Sequence, residues 1–150
     1  RGILTGFNAA FIIDEEVKTQ LLSQDPKSAE IIKPFLMGRD IDRYSPPKSG
    51  RYLIFTRRGI QIDSDPAIKN YLFQFKDRLM PKPLNWERKE WNGRKAGFYK
   101  WYEIQDSIQY YQDFEKPKII IPCILKWAAF ILDKEGFYTN DKTTIIGSRI

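Results

Sequence analysis

Two aspartate–proline pairs, Asp25-Pro26 and Asp65-Pro66, together with Asp14 ahead of Glu15 and Glu16, constrain this chain more than any other feature, because each marks a helix start. An aspartate carboxylate accepts from the unpaired amides of a first helical turn, and proline, which has no N–H to waste, is at home in that turn. All three signals fall before the midpoint. After the last of them Ile68, Tyr71, Leu72, Phe75 and Leu79 recur at helical spacing, which predicts one helix over 66–79 with those side chains in the core. Asp14 opens a helix with Val17, Leu21 and Leu22 inward. Asp25-Pro26 opens another to about Ile32, stopped by Pro34.

Strand patterns fill much of the rest. Residues 11–13 and 51–57 read as strands, the second with Tyr52, Ile54 and Thr56 alternating against Leu53 and Phe55. Residues 119–125, 128–132 and 144–146 read likewise, the last after an Asn140-Asp141 turn, and Pro122 confines its strand to an edge or a bulge. Residues 45–50 are a proline loop. Residues 80–97 carry Pro81, Pro83, Gly93 and Gly97 without any period, a long irregular excursion of the kind that often carries function. With 150 residues, no repeat and no low-complexity linker, the expectation is one α+β domain: short N-terminal helices packed on a mostly antiparallel sheet, helices early and strands late.

Composition removes several chemistries. There is no histidine, so Ser-His-Asp and Cys-His catalysis and imidazole metal ligation are excluded. Cys123 is the sole cysteine, which excludes an internal disulfide or a multi-cysteine zinc site and suits a reducing, cytoplasmic setting; flanked by Pro122 and Ile124, it reads as an inert core thiol. The longest apolar runs are too short to span a bilayer, and no basic amphipathic helix offers itself to a membrane surface. The absence of an initiator Met and of a leader pattern reads as a piece of something longer.

The net charge of +6 sits in the middle third, where residues 51–100 hold twelve basic against five acidic side chains. Within 78–100 the cations Arg78, Lys82, Arg88, Lys89, Arg94, Lys95 and Lys100 alternate with Trp86, Trp91, Phe98 and Tyr99. Such groups neutralise phosphates and offer flat faces to bases; a solvated basic face beside a few core rings has the same composition.

Other motifs weigh little. No glycine-rich phosphate loop is present. Ser45-Pro46-Pro47-Lys48 has the outline of the Asn-Pro-Pro-aromatic tetrapeptide of amino-methyltransferases, but serine and lysine supply neither the amide acceptor nor the stacking ring that flipped-base chemistry needs. Glu87-Arg88-Lys89, with Asp77 upstream, has the Glu-x-Lys spacing of metal-dependent nucleases, yet from a proline-flanked loop and a helix rather than a strand pair.

Several segments together resemble a known family. These are Gly2-Ile3-Leu4-Thr5-Gly6-Phe7-Asn8 with Ala10-Phe11, and Ile31-Ile32-Lys33-Pro34-Phe35-Leu36 with Gly38-Arg39-Asp40-Ile41. Tyr52-Leu53-Ile54, Pro66-Ala67-Ile68 to Tyr71-Leu72, Trp101-Tyr102-Glu103, Phe114-Glu115-Lys116-Pro117-Lys118-Ile119 and Tyr138-Thr139-Asn140-Asp141 follow in order. They resemble the TaqI-like C-terminal specificity domain, the target-recognition half of adenine-specific DNA methyltransferases and fused restriction-modification enzymes. The resemblance implies that residues 1–150 bind double-stranded DNA, that catalysis and S-adenosylmethionine belong to an N-terminal methyltransferase domain of the same chain, and that this part holds no catalytic residue, cofactor or metal. On that reading Arg39, Arg57, Arg58, Lys89, Arg94 and Lys95 are expected at phosphates or guanines. Trp86 and Trp91 are expected to wedge or stack near a displaced base, and Thr5 and Asn8, in a turn that can present donors to a phosphate or base edge, to bind DNA near the seam with the catalytic domain. Asp40 is either a partner of Arg39 or a base reader. The alternatives are a stand-alone metal-dependent nuclease using Glu87, Lys89 and an aspartate, and a protein-interaction module.

Overall fold

The computed structural model describes residues 1–42, 47–124 and 127–147; Ser45 and Pro46 of the predicted proline loop and Leu125 of a predicted strand lie outside them. The three helix signals are all used, at different lengths. The Val17 amide donates to the Asp14 carboxylate at 2.9 Å, and the Ile68 amide to Asp65 at 3.2 Å. The helices that follow are α2 (Glu15–Gln24) and α3 (Pro66–Phe73), after a short α1 (Asn8–Phe11). The predicted helix over 66–79 is two: Phe75 tightens back onto the Leu72 carbonyl, and α4 (Lys76–Leu79) starts afresh. Asp25 caps the Lys27 amide, but only a 3-10 turn (Pro26–Glu30) follows, since the chain must be extended again by Ile32.

Phe11, expected to begin a strand, closes α1 instead, and β1 (Ile12–Asp14) starts after it. β1 lies antiparallel to β3 (Arg51–Ile54), which lies antiparallel to β2 (Ile32–Leu36), which takes β6 (Tyr138–Thr139) in parallel. Pro34 sits inside β2 opposite Tyr52 rather than stopping a helix; β6 reaches only Phe35 and Leu36, so this proline falls where the strand has a single neighbour and a missing N–H costs least. A second, antiparallel sheet has the order β5 (Ile131–Asp133), β4 (Lys118–Pro122), β7 (Thr143–Gly147). Pro122 ends the central β4, paired with Thr143 and beyond the reach of β5. The α+β class is as predicted, with two sheets instead of one. The α-helices all end by Leu79, and four of the seven strands follow residue 117, with β1, β2 and β3 before residue 55. Among the described residues no helix is long and apolar enough to cross a membrane.

The main core gathers Phe11, Phe35, Leu53, Ile54, Ile68 and Leu72 with Phe114 and Tyr138 between the first sheet and the helices. A smaller one, Leu36, Ile41, Ile120, Ile131 and Phe137, backs the second sheet. The two strands β4 and β5 share a buried ion pair: Lys118 and Asp133 face each other in register with no exposed side-chain surface. Lys118 also donates to the Phe114 carbonyl, and Asp133 accepts the Glu135 and Phe137 amides at 2.8 and 2.9 Å. Burial lowers the Lys118 pKa, and its bond to Asp133 works the other way. Cys123 is not a core thiol; it is exposed in the bend after β4.

Candidate nucleic-acid interface

The excursion after α4 is a loop with a tied neck. The Arg94 amide donates to the Met80 carbonyl at 2.9 Å and the Lys82 amide to the Arg94 carbonyl at 3.0 Å. Gly93 is required there, because a Cβ would lie 2.2 Å from the Met80 carbonyl oxygen. From that neck the Arg94 side chain turns inward and is 3% exposed. Its Nε donates to the Leu79 carbonyl at 2.8 Å, one terminal nitrogen to Thr5 and Glu103 at 2.8 Å, and the other to Lys100 and Trp101 at 3.3 and 3.0 Å. The guanidinium also lies 4.5 Å over the Tyr99 ring. Burial lowers its pKa to about 10, so it stays charged at neutral pH. A planar fork of five N–H donors suits this constellation of carbonyls, which an ammonium could not span.

Arg94, expected at DNA, is therefore an internal staple with its donors occupied. Arg58 is half-committed as well, donating to the Gln105 carbonyl at 2.8 Å, 3.8 Å from Glu103 and 5.4 Å over Tyr99. Thr5 is buried and donates to Asn8 at 2.6 Å, an ordinary turn lock beside the carbonyl that receives Arg94. Asp40 pairs with Arg51 at 2.8 Å and not with Arg39.

The two tryptophans hold the loop together. Their rings meet edge-on at 4.8 Å, Trp86 donates to the Glu90 carbonyl at 3.0 Å, and Trp91 to Met80 at 3.3 Å. Lys89 shares with Trp86, Arg88 and Asn92 a depression of about 500 Å³. Arg39 and Arg57 line other depressions. Arg39 borders a cleft of about 850 Å³ with Pro122, Trp127 and Lys142, and Arg57 a smaller one where it donates to the Tyr111 hydroxyl at 2.7 Å. Lys95 is exposed, directly after the neck of the excursion.

Sequence reasoning missed a ribbon of cations and rings that folds together from α3, α4 and the excursion's end. Phe73, 58% exposed, meets Trp101 at 6.0 Å, and Trp101 meets Tyr102 at 5.4 Å. Lys76 lies over Phe73 and Trp101 at 5.3 and 5.5 Å, and Lys100 over Tyr102 at 5.8 Å. The available signal was that Phe73 falls out of step with the apolar positions Ile68, Leu72 and Leu79 of its own helix. Phe98, on the same stretch, is 92% exposed. The arrangement can place cations beside a polyanion while presenting aromatic surface to it. Among the described residues no three Asp, Glu, Cys or His side chains gather into a common cluster.

No protein-family model matches the chain, and no curated protein does. Among solved structures it is similar to the Type IIL restriction-modification enzyme MmeI, solved in complex with DNA, with a TM-score of 0.61 and 14% identity over 99% of this chain. The chain spans 19% of that enzyme's length. At such identity the likeness is one of fold: this architecture also occurs within a restriction-modification enzyme.

Proposed function

We propose that the chain is a DNA-binding specificity domain, TaqI-like in kind, serving an N6-adenine methyltransferase or a fused restriction-modification enzyme. The observation that carries this is the cation–aromatic ribbon of Phe73, Lys76, Lys100, Trp101 and Tyr102, whose Lys100 and Trp101 carbonyls Arg94 holds from beneath. The fold likeness to an enzyme solved on DNA supports it. Bond-making and S-adenosylmethionine would belong to a catalytic domain of the same polypeptide. The sole cysteine fits a cytoplasmic protein. Under this reading Lys89 and Lys95 meet phosphates, and Arg39 and Arg57 remain available for the flanks of the site.

Binding of the chain to a mixed-sequence duplex, followed by fluorescence anisotropy through a salt series, tests the proposal. The logarithm of the affinity is expected to fall linearly with the logarithm of salt, and Lys89→Ala or Lys95→Ala each to flatten that slope by about 1. Salt-insensitive or absent retention would remove DNA as the partner.

The same reading assigns a role to the outer face of the second sheet. Leu132, Ile119 and Ile146 form one cross-strand row, with Leu132 59% and Ile146 51% exposed. We assign this apolar row as the seat of the catalytic domain, in keeping with a fold that forms 19% of a much longer enzyme. Leu132→Glu with Ile146→Glu is expected to lower apolar-dye binding and self-association of the chain without lowering its melting temperature. A wild-type chain that stays monodisperse and dye-dark would contradict the assignment.

A further inference from the structure

On the reading that the chain binds duplex DNA, we propose that Phe98 is a wedge that enters the base stack when the excursion closes on the helix. Trp86 and Trp91, the wedges expected from sequence, are spent on the loop: each indole N–H is bonded to a backbone carbonyl, and the two rings pack against each other. Phe98 has no such employment. It is 92% exposed, and among the described residues no ring or cation packs against it.

A single exposed phenylalanine is ordinary; this one projects from a turn anchored on both sides, with a lysine three residues before it and another two after. The next residue, Tyr99, is 7% exposed, donates its hydroxyl back to the Lys95 carbonyl and is covered by the Arg94 guanidinium. Gly97 lets the turn close against it, since a Cβ there would sit 2.5 Å from the Tyr99 ring. Beyond it the Lys100 amide is fixed by Glu103 at 2.9 Å. The turn is thus anchored on both sides of Phe98, so little backbone freedom is lost when the ring is buried elsewhere. Lys95 and Lys100, both exposed, flank it in the chain and can neutralise the phosphates of the step that opens. Apolar side chains of proteins that deform DNA insert between base steps and unstack them, a deformation that can untwist the duplex.

Relaxing a closed circular plasmid with a topoisomerase in the presence of the chain reads that untwisting directly as a change in linking number, with anisotropy measuring affinity alongside. The wild type is expected to bind and shift the linking number. Phe98→Ala is expected to bind about tenfold more weakly, with the salt slope unchanged because no charge is lost, and to leave the linking number where it was. Phe98→Trp is expected to restore both. Wild-type binding without untwisting, or an Ala variant that untwists as well as the wild type, would overturn the wedge and leave DNA binding standing. Absence of any salt-sensitive binding by the wild type would overturn both.

Discussion

Arg94→Ala is expected to lose about 3 kcal/mol or more of folding stability, since hydrogen bonds from a charged donor contribute roughly 1.5–3 kcal/mol each and do not add. The variant strands the carbonyls of Thr5, Leu79, Lys100, Trp101 and Glu103 around a hole. Urea unfolding measures the loss. The near-UV circular dichroism of the Trp86–Trp91 pair is expected to fade with it, as the neck of the excursion opens. Arg94→Lys is not expected to rescue, and Lys95→Ala, on the exposed turn next door, is expected to stay within about 0.5 kcal/mol of wild type. An Arg94→Ala chain with an unchanged midpoint and spectrum would show that the staple holds nothing.

Lys118→Met is expected to cost about 3–5 kcal/mol, because it leaves Asp133 charged and buried with no cation in reach. Combining it with Asp133→Asn is expected to return only part of that, since one amide oxygen must then serve the Glu135 and Phe137 N–H groups that two carboxylate oxygens serve now. Thermal unfolding of the two variants checks the order; a single variant as stable as the double would refute it. The pH dependence has a definite sign. With its pKa lowered by burial, folded Lys118 releases its proton before the unfolded chain does, so this group alone makes stability rise as pH climbs from the lowered value toward lysine's ordinary range.

Local chemistry was legible where it is local. Asp14 and Asp65 cap the helices their sequences announce, and the Asn140-Asp141 turn and the irregular excursion lie where expected. What tertiary demand decides was not. Asp25-Pro26 yields a 3-10 turn because β2 begins six residues on, and Pro34 finds a one-sided place inside that strand. The excursion's cations looked alike in the sequence, yet Arg94 faces carbonyls and Lys95 faces water. Charge counting cannot separate them, because what distinguishes them is the company of Thr5, 89 residues away. The ribbon of Phe73, Lys76, Trp101 and Lys100 was hidden for the same reason: its members come from separate elements.

The start and the late strands of the chain are knotted by hydrogen bonds at one corner. The Ile3 amide reaches the Thr139 carbonyl at 2.7 Å and Gly2 reaches Thr143 at 3.0 Å, while β6 and β7, three residues apart, belong to different sheets. Residues 2 and 3 must therefore wait on the ribosome until more than a hundred others have emerged before they find their partners. Closure of this fold depends on its last strands, and it is slow relative to that of a helical bundle of the same size.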